Sequence, residues 1–439
     1  MQHESPTSAP GLRVRAPQPT PNIAPPAPWN VEGYPTPTGP IGPEVYRARR
    51  QRLLAQMGTG VAVIFAAEQI GHGERQDLDF YYLTGLELEH GAALLLAPEH
   101  PDFKEQLFLR ALDVEDNRWH GNRPLLGRGV ELGAGFAKVK RMNLLAASIT
   151  DAVLQSKERE LVYLGPVVGY TSPIPRQLQV LRDVSARVLH SKLRDAHELL
   201  PRMRSVHDEH ELAIMRRAVE ITGGGFRAAL RAARPGMNES ALQAVFEAHF
   251  RAHGSHSNAY HPIVGAGLNT CVLHYNLNRR EMRDGDLVLC DVGCEYEMYA
   301  SDITRTFPVN GRFTPRQAEV YTVVLNAWKA AVAQVRPGAT WQQLNDAARD
   351  VIDAAGFSDE YFHSVGHFVG LYVHDAGLQR EPLRPGMVIT IEPGVYIARE
   401  ALGVRIEDDI LVTEEGCEVL SSAIPREIEE LEAVMAGRG

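Results

Sequence analysis

The sequence contains the same short pattern twice, and this repeat restricts the possible folds more than any other feature. Residues 283–293 read RDGDLVLCDVG, and residues 384–394 read RPGMVITIEPG. The two align without a gap, with Arg on Arg, Gly on Gly, an apolar run, a carboxylate and a final Gly. Each apolar run has the length of a buried strand. The repeat therefore predicts two related strand units, which end in Asp291 and Glu392.

Each unit is followed by a second strand that carries another acid. Asp302 lies eleven residues after Asp291, and Glu407 lies fifteen residues after Glu392. A pseudo-twofold relation between the units would bring all four carboxylates to one centre. Four buried anions cannot all stay ionised unaided, because burial and mutual repulsion raise their pKa values. Two divalent cations cancel four negative charges, so the repeat predicts a metal centre.

A group of histidines lies between the two acidic units, in the segment FHSVGHFVGLYVHDAG at residues 362–377. It contains His363, His367 and His374, and His274 precedes the first unit. A lone histidine is more often structural, but the glycines here let backbone and substrate approach closely. Four carboxylates and one imidazole form a hard, oxygen-rich donor set. Such a set favours Mn, Co or Zn over Cu and argues against a thiolate site.

Two bridged divalent metals would supply the chemistry of a hydrolase. They hold a water or hydroxide between them, lower its pKa and polarise a carbonyl group. Neighbouring histidines can donate hydrogen bonds to a tetrahedral oxyanion or protonate a leaving nitrogen. The pattern therefore indicates a metallohydrolase.

The length of 439 residues predicts more than one domain. We predict a flexible Pro-rich extension over residues 1–42 and an α/β domain over residues 43–185. A linker over residues 186–205 and a catalytic domain over residues 206–439 complete the chain. The fold class is accordingly α/β, of the α+β kind.

Local patterns predict the first elements of the α/β domain. Residues 43–57 resemble a helix with Pro at its start. Strands are predicted at residues 59–67, 79–84, 91–97, 107–111 and 161–164. Ser205 followed by Asp208 resembles a capping box before a helix that begins at Glu209.

Charge and cysteine content restrict the partners and the compartment. The net charge of −10 argues against nucleic-acid binding, which needs a basic surface. The N-terminus has no apolar segment of the secretory type, and no apolar run approaches the roughly 18 residues of a membrane span. The four cysteines form no CxxC pair and predict reduced thiols. We expect a cytoplasmic protein that binds no membrane.

Four segments carry a resemblance to a known family: DVGCEYEMYASDITRTFPVNG, HSVGHFVGLYVHDAG, ITIEPGVYI and GVRIEDDILVTEEG. They resemble the motifs of the pita-bread metallopeptidases, which include aminopeptidase P, prolidase, methionine aminopeptidase and creatinase. The resemblance is greatest to the bacterial aminopeptidase P branch and covers about residues 43–435. It implies an N-terminal creatinase-like α/β domain followed by a pseudo-twofold pita-bread catalytic domain.

The resemblance also implies five metal ligands. They are Asp291, Asp302, His367, Glu392 and Glu407. Asp302 and Glu407 would bridge both ions, and Glu392 would also handle the proton of a metal-bridging hydroxide. The implied metal is Mn(II), usually two ions, with Co(II) or Zn(II) as alternatives.

Further residues are implied in substrate binding and catalysis. His274 and His374 would contact the substrate and stabilise the tetrahedral intermediate. His363 and Arg405 would shape a proline pocket and a proton relay, with Tyr396 in a supporting position. Trp119 would reach an active site, either its own or that of a neighbouring subunit.

The implied activity is release of the N-terminal residue from short peptides with proline in the second position. The metal-bridging hydroxide would attack the Xaa-Pro carbonyl, and the protein would be a homo-oligomer, a dimer or a tetramer. A prolidase, which cleaves Xaa-Pro dipeptides with the same chemistry, is the first alternative. A catalytically inactive binding protein on the same fold is the second.

The segment RIEDDI adds a prediction from strand geometry. Alternate residues share one face of a strand, so Arg405, Glu407 and Asp409 should point together, with Asp408 on the other face. A guanidinium beside Glu407 would keep that carboxylate ionised. Asp409 either belongs to the site or is a solvated charge. The interval between Glu392 and Glu407 is shorter than the longer versions in the family, so one loop is trimmed.

Overall fold

The N-terminal half forms a mixed α/β domain. The structure, a computed structural model, describes residues 37, 39–70, 75–111 and 125–437. The helices of this half are α1 (Pro43–Met57), α2 (Leu78–Thr84), α3 (Arg128–Gly133), α4 (Leu145–Gln155) and α5 (Arg176–Ser185). The strands are β1 (Ala62–Phe65), β2 (Ala93–Leu96), β3 (Glu105–Leu109), β4 (Val139–Arg141), β5 (Glu160–Tyr163) and β6 (Lys192–Asp195).

Four of these strands form one sheet in the order β1-β2-β3-β4. The pairings are antiparallel except for β3 with β4, and β6 pairs in parallel with β5. The interval predicted as a linker therefore contains β6 and also helix α6 (Leu199–Arg204). The domain limits themselves stay a prediction.

One predicted element of this domain is wrong. Residues 79–84 were expected to form a strand, but they belong to α2, where Phe80, Tyr81 and Tyr82 are all buried. A short aromatic run that is buried on every side lacks the alternation that distinguishes strand from helix. The better signal is Asp77, whose side chain accepts a hydrogen bond from the backbone N–H of Phe80 and caps the helix.

The catalytic half begins with the longest helix, α7 (Glu209–Ala232). Its capping box is formed by Asp208 and Glu211, three residues later than the predicted pair of Ser205 and Asp208. The other helices are α8 (Glu239–Ala252), α9 (Pro315–Val332), α10 (Trp341–Ala354) and α11 (Ile428–Met435). Within the described residues, no helix is both long and apolar enough to cross a membrane.

Eleven short strands complete this half. They are β7 (Ser257–Asn258), β8 (Ile263–Ala266), β9 (Leu287–Val292), β10 (Cys294–Tyr296), β11 (Tyr299–Ala300), β12 (Ile303–Pro308), β13 (Val388–Ile391), β14 (Gly394–Ile397), β15 (Leu402–Arg405), β16 (Asp408–Val412) and β17 (Cys417–Val419).

The strand pairing follows the sequence repeat. In the first unit β9 pairs with β12 and β10 with β11; in the second, β13 pairs with β16 and β14 with β15. Asp302 lies in the two-residue break between β11 and β12, and Glu407 lies in the matching break between β15 and β16. The backbone N–H of Glu407 donates to the carbonyl oxygen of Thr304, 3.1 Å away, which joins the two units at these breaks.

The two halves of the chain share part of their core. One apolar cluster contains Tyr46 and Phe80 from the N-terminal domain together with Met215, Tyr299 and Val369 from the catalytic domain. Arg49 is buried in the same region and pairs with Asp208 and Glu211 at 2.8 and 3.1 Å. The N-terminal domain is therefore packed directly against elements that lead to the site.

Candidate metal centre

The five predicted ligands come together where the two strand units meet. Asp291 lies on β9, Glu392 directly follows β13, and Asp302 and Glu407 occupy the two strand breaks. His367 belongs to the loop that precedes β13. Ligand atoms of Asp302, His367 and Glu407 all lie within 4.8 Å of one another. His367 Nε2 also lies 3.5 Å from Glu392 Oε1.

The imidazole of His367 is oriented for a ligand. Its Nδ1 lies 3.0 Å from the carbonyl oxygen of Phe368, which can only accept, so Nδ1 carries the hydrogen and Nε2 faces the carboxylates. The backbone N–H of His367 donates to Thr390 Oγ1 at 3.0 Å. A Cβ at Gly366 would lie 2.0 Å from the carbonyl oxygen of Thr390, so only glycine allows this close approach.

Without metal, the centre must be neutralised by protons. Burial, followed by the charges of Asp302 and Glu392, raises the pKa of Glu407 well above its usual range. Burial raises the pKa of Glu392 to about 7, although His367 and Arg405 oppose the shift. Burial lowers the pKa of His367, but Asp302 and Glu392 outweigh it and raise that pKa to about 9. Divalent cations in place of these protons would relieve the repulsion, so the donor set fits a metal centre.

Tyr260 is a member of the site that sequence reasoning missed. Its hydroxyl lies 2.6 Å from Asp291 Oδ1 and 2.5 Å from Asp302 Oδ1, so it spans two of the predicted ligands. Tyr260 lies in an irregular segment shortly before β8, and Ile263 of β8 pairs with Asp291. Nothing in the local sequence marks a tyrosine there, because the contact depends on strand pairing across the fold.

A hydrogen-bonded chain extends from Asp291 to the predicted proline pocket. Arg405 Nη2 lies 2.6 Å from Asp291 Oδ2, and Arg405 Nη1 donates to the Tyr396 hydroxyl at 3.0 Å. That hydroxyl lies 3.0 Å from His363 Nε2. His363 Nδ1 faces the carbonyl oxygen of Ser364 at 2.8 Å and must carry the hydrogen, so Nε2 accepts from Tyr396.

This chain corrects one expectation about Arg405. The sequence predicted its guanidinium beside Glu407, but the close ion pair is with Asp291. Burial, followed by the charges of Asp302 and Glu392, raises the pKa of Glu407, and Arg405 opposes this shift only in part. Thr304 Oγ1 is the nearest donor to Glu407, at 2.6 Å from Oε2.

Asp409 belongs to the site rather than to the solvent. Its side chain is fully buried, and its Oδ2 accepts the backbone N–H of Asp302 at 3.1 Å. Asp408 points away, as predicted, and pairs with Arg305 at 2.7 Å.

A cavity of about 330 Å³ opens over the centre. It is lined by Asp291 and Glu392 of the centre and by His274, His363, His374 and Arg405. The rings of His367 and His374 stand nearly perpendicular, with centroids 4.2 Å apart. Gln379 also lines this cavity and was not predicted. Trp119, the remaining predicted site residue, lies outside the described residues.

Comparison with known proteins identifies the family. Residues 213–414 match the model of metallopeptidase family M24, and residues 46–163 match that of the aminopeptidase P N-terminal domain. The Xaa-Pro aminopeptidase of Escherichia coli K12 is 35% identical over 441 residues, which cover 90% of this chain and 98% of that protein. The chain belongs to metallopeptidase family M24.

Solved structures of M24 proteins have the same fold. A structure described as a putative aminopeptidase P from Bacillus anthracis matches with a TM-score of 0.85 and 30% identity, over 91% of this chain and 99% of that one. Zn-substituted E. coli aminopeptidase P in complex with product matches with a TM-score of 0.81 and 31% identity, over 91% and 100% of the two chains. The predicted creatinase-like domain and pita-bread catalytic domain are confirmed.

Membership of M24 makes divalent metal ions the cofactor of this centre. The two cysteines beside Asp291 do not compete for the metal. Cys290 and Cys294 are fully buried in the apolar core of the catalytic half, and burial raises the pKa of both thiols. A neutral thiol in an apolar core is a poor metal ligand.

The protonation of the metal-free M24 centre predicts how its stability depends on pH. The folded-state pKa of Glu392 is raised from 4.5 to about 7, and that of His367 from 6.5 to about 9. The proton on Glu392 stabilises the folded, metal-free protein fully below pH 4.5, and this contribution is lost as pH rises through about 7. The proton on His367 does so fully below pH 6.5, and its contribution is lost as pH rises through about 9. Metal binding strengthens over the same range, because ligands must be deprotonated.

We therefore expect the difference in melting temperature between metal-saturated and chelator-treated protein to widen from about pH 6 to about pH 9. Differential scanning fluorimetry with and without chelator measures this difference. The chelator-treated protein is its own control, since it should lose stability over this range. A difference that stays constant or narrows as pH rises would contradict the assignment of these ligands.

Proposed function

We propose that the chain is a dinuclear-metal aminopeptidase that releases the N-terminal residue from peptides with proline in the second position. The observation that carries this proposal is the cavity, whose lining combines two carboxylates of the centre, Asp291 and Glu392, with four histidines. Its relative in E. coli carries the name Xaa-Pro aminopeptidase.

Five residues would hold the ions in this proposal: Asp291, Asp302, His367, Glu392 and Glu407. Asp302 and Glu407 occupy the two matching strand breaks, and the resemblance implies that these two acids would contact both ions. When bound, two divalent ions lower the pKa of a water and polarise the scissile carbonyl. We propose Mn(II) as the native metal, since four carboxylates and one imidazole suit a hard cation; Co(II) and Zn(II) are the alternatives.

The residues of the cavity wall would orient the peptide. His274 and His374 would donate hydrogen bonds to the oxygen of the tetrahedral intermediate. Glu392 would take up the proton of the attacking water at a carboxylate oxygen. Glu392 lines the cavity beside His367, whose Nε2 lies 3.5 Å from Glu392 Oε1, so its carboxylate faces the substrate space.

The chain of Arg405, Tyr396 and His363 would form the wall for the proline ring. Its hydrogen bonds of 3.0 Å keep the His363 imidazole in a single orientation. Burial, followed by the nearby Arg405, lowers the pKa of His363 to about 4, so this imidazole stays neutral and suits an apolar ring. Trp119 would reach an active site, either its own or that of a neighbouring subunit.

The proposal includes a homo-oligomer, a dimer or a tetramer, in the cytoplasm. The family resemblance supports an oligomer. It implies that Trp119 reaches an active site, and one of the two alternatives is the active site of a neighbouring subunit. All four cysteines are free thiols, which fits a reducing compartment.

The decisive test compares three peptides with the same first residue: Xaa-Pro-Yaa, Xaa-Ala-Yaa and the dipeptide Xaa-Pro. We expect kcat/KM for Xaa-Pro-Yaa to exceed that for Xaa-Ala-Yaa by about 10–200-fold, the range that one well-formed pocket provides. Mass spectrometry of the products should show free Xaa. An N-acetylated tripeptide is the control for cleavage from the free N-terminus. Preferential hydrolysis of the dipeptide would identify a prolidase instead, and no turnover after Mn(II) addition would favour an inactive binding protein.

A further inference from the structure

One buried arginine connects the N-terminal domain to the loop that carries His374. Arg204, the last residue of α6, is 7% exposed. Its Nη1 lies 2.8 Å from Asp79 Oδ1, on α2 of the N-terminal domain. Its Nη2 donates to Asp375 Oδ1 in the catalytic domain. The guanidinium therefore spans two carboxylates that belong to different domains.

Asp375 organises the turn on which His374 sits. Its Oδ2 accepts the backbone N–H of Leu371 at 2.8 Å, and its Oδ1 accepts that of Ala376 at 2.7 Å. Its own backbone N–H donates to the carbonyl oxygen of Phe368 at 2.9 Å. Because Asp375 directly follows His374, a shift of the turn backbone that these hydrogen bonds hold would displace the imidazole of His374 as well.

The packing around Asp375 leaves little space for such a shift. A Cβ at Gly370 would lie 2.4 Å from Asp375 Oδ2 and 2.7 Å from the ring of His207. His207 comes from the same connecting segment as Arg204, and its Nε2 lies 3.2 Å from the carbonyl oxygen of Val369. The connection between the domains therefore holds the loop at two points, at Val369 and at Asp375.

We propose that Arg204 is a positioning residue that fixes His374 through Asp375, and that Asp79 of the N-terminal domain completes this clamp. The inference rests on the proposed function, since it takes His374 as a residue that contacts the substrate. The clamp consists of Arg204, Asp79 and Asp375. In this arrangement the N-terminal domain contributes to turnover, and not only to folding.

A positioning role differs from a simple role in holding the domains together. A group that only joins domains changes the stability of the protein, and its loss affects every activity in proportion to the folded fraction. A positioning group changes the orientation of one catalytic side chain. Its loss therefore lowers kcat while substrate binding, metal content and the folded fraction stay close to those of the parent protein.

The first variant is Arg204→Lys, because an ammonium keeps the charge but cannot span two carboxylates with the planar fork of a guanidinium. We expect kcat for an Xaa-Pro-Yaa peptide to fall about 10- to 100-fold, with KM little changed, since a displacement of about 1 Å can cost about 100-fold. In a His374→Ala background the same substitution should cause no further loss. Asp79→Asn, at a partly exposed position, is a second variant that retains the shape of the side chain.

The matched control is Glu295→Gln. Glu295 forms another ion pair between the domains, 2.6 Å from Arg75. Among the described residues, neither side chain forms a hydrogen bond or ion pair with residues 369–376. This variant should leave kcat unchanged. Amide hydrogen exchange provides a readout independent of turnover, because the clamp protects the N–H groups of Leu371 and Ala376. Exchange at these two positions should accelerate in Arg204→Lys and in Asp79→Asn, but not in Glu295→Gln.

The outcomes separate the clamp from the proposed function. Hydrolysis of the tripeptide by the parent protein tests the function, whereas the exchange rates test the clamp without any substrate. The inference is overturned if exchange is unchanged in Arg204→Lys and Asp79→Asn. It is also overturned if Glu295→Gln lowers kcat equally, or if the losses from Arg204→Lys and His374→Ala are additive.

Discussion

Replacement of Glu407 by alanine is expected to lower kcat/KM for an Xaa-Pro-Yaa peptide by more than about 100-fold. Loss of a residue that only supports a metal ligand already costs about 10–100-fold, and Glu407 is proposed to bind both ions. Its carboxylate is 2% exposed and lies among Asp302, Glu392 and Asp291, so no water can easily take its place. Peptide hydrolysis and the metal content of the purified variant measure the effect.

A second variant at this position, Glu407→Gln, should separate metal binding from folding. In the metal-free protein, burial and the neighbouring acids raise the pKa of Glu407, so its carboxyl group contributes little favourable charge interaction there. Glu407→Gln, which retains the size of the side chain, should melt close to the parent protein in chelator. Added metal should raise its melting temperature less than that of the parent, because one ligand is missing.

Cys294→Ala is the matched control for a buried position in the same half of the chain. The thiol of Cys294 donates to the carbonyl oxygen of Ala218 on α7, and burial raises its pKa to about 11, so it is neutral. We expect a loss of about 1 kcal/mol in stability and little change in turnover. If Glu407→Ala retains the turnover of this control, the metal centre is placed wrongly.

The acidic part of the centre could be predicted because it is encoded locally and twice. Asp291 lies near the end of a strand and Glu392 directly follows one, each after an apolar run that is visible in the sequence, and the breaks at Asp302 and Glu407 correspond in the two units. The register differs between them. In the first unit Val292 pairs with Ile303, so the next two residues opposite each other are Gly293 and Asp302. In the second unit Ile391 pairs with Asp408, so the next two are Glu392 and Glu407. A shift of two residues keeps the same strand face, so the acids still converge.

Other parts of the site depend on contacts that no local pattern contains. Tyr260 reaches Asp291 and Asp302 only because β8 pairs with β9, and Arg204 reaches Asp375 across a domain boundary. The pairing of Arg405 with Asp291 rather than with Glu407 is of the same kind. The sequence places residues on strand faces, but the choice of partner depends on how the strands from both units pack together.

Substitution of Arg305 is expected to have the largest effect on stability. Arg305 is fully buried behind the metal centre and pairs with the fully buried Asp408 at 2.7 Å. Its guanidinium also donates to the carbonyl oxygens of Thr304, Glu407 and Pro425, at 2.9, 2.7 and 2.7 Å. Arg305→Leu leaves the buried Asp408 with Arg426, at 3.2 Å, as its remaining arginine partner and removes one donor from each of these carbonyl oxygens. We expect a loss of about 3–5 kcal/mol in the free energy of unfolding.

Urea unfolding of chelator-treated protein measures this loss without the contribution of bound metal. The control is Arg216→Gln, which breaks an exposed ion pair with Glu418 and should cost about 0–1 kcal/mol. A double variant, Arg305→Leu with Asp408→Leu, should recover only part of the stability. Removing the Asp408 carboxylate relieves one cost, but the carbonyl oxygens of Glu407 and Pro425 lose the donor that Arg305 provided, and Arg426 loses its carboxylate partner. Full recovery of the free energy of unfolding would show that only the ion pair between Arg305 and Asp408 contributes to stability. A loss from Arg305→Leu no larger than that of the control would show that these bonds do not support the strand break at Glu407.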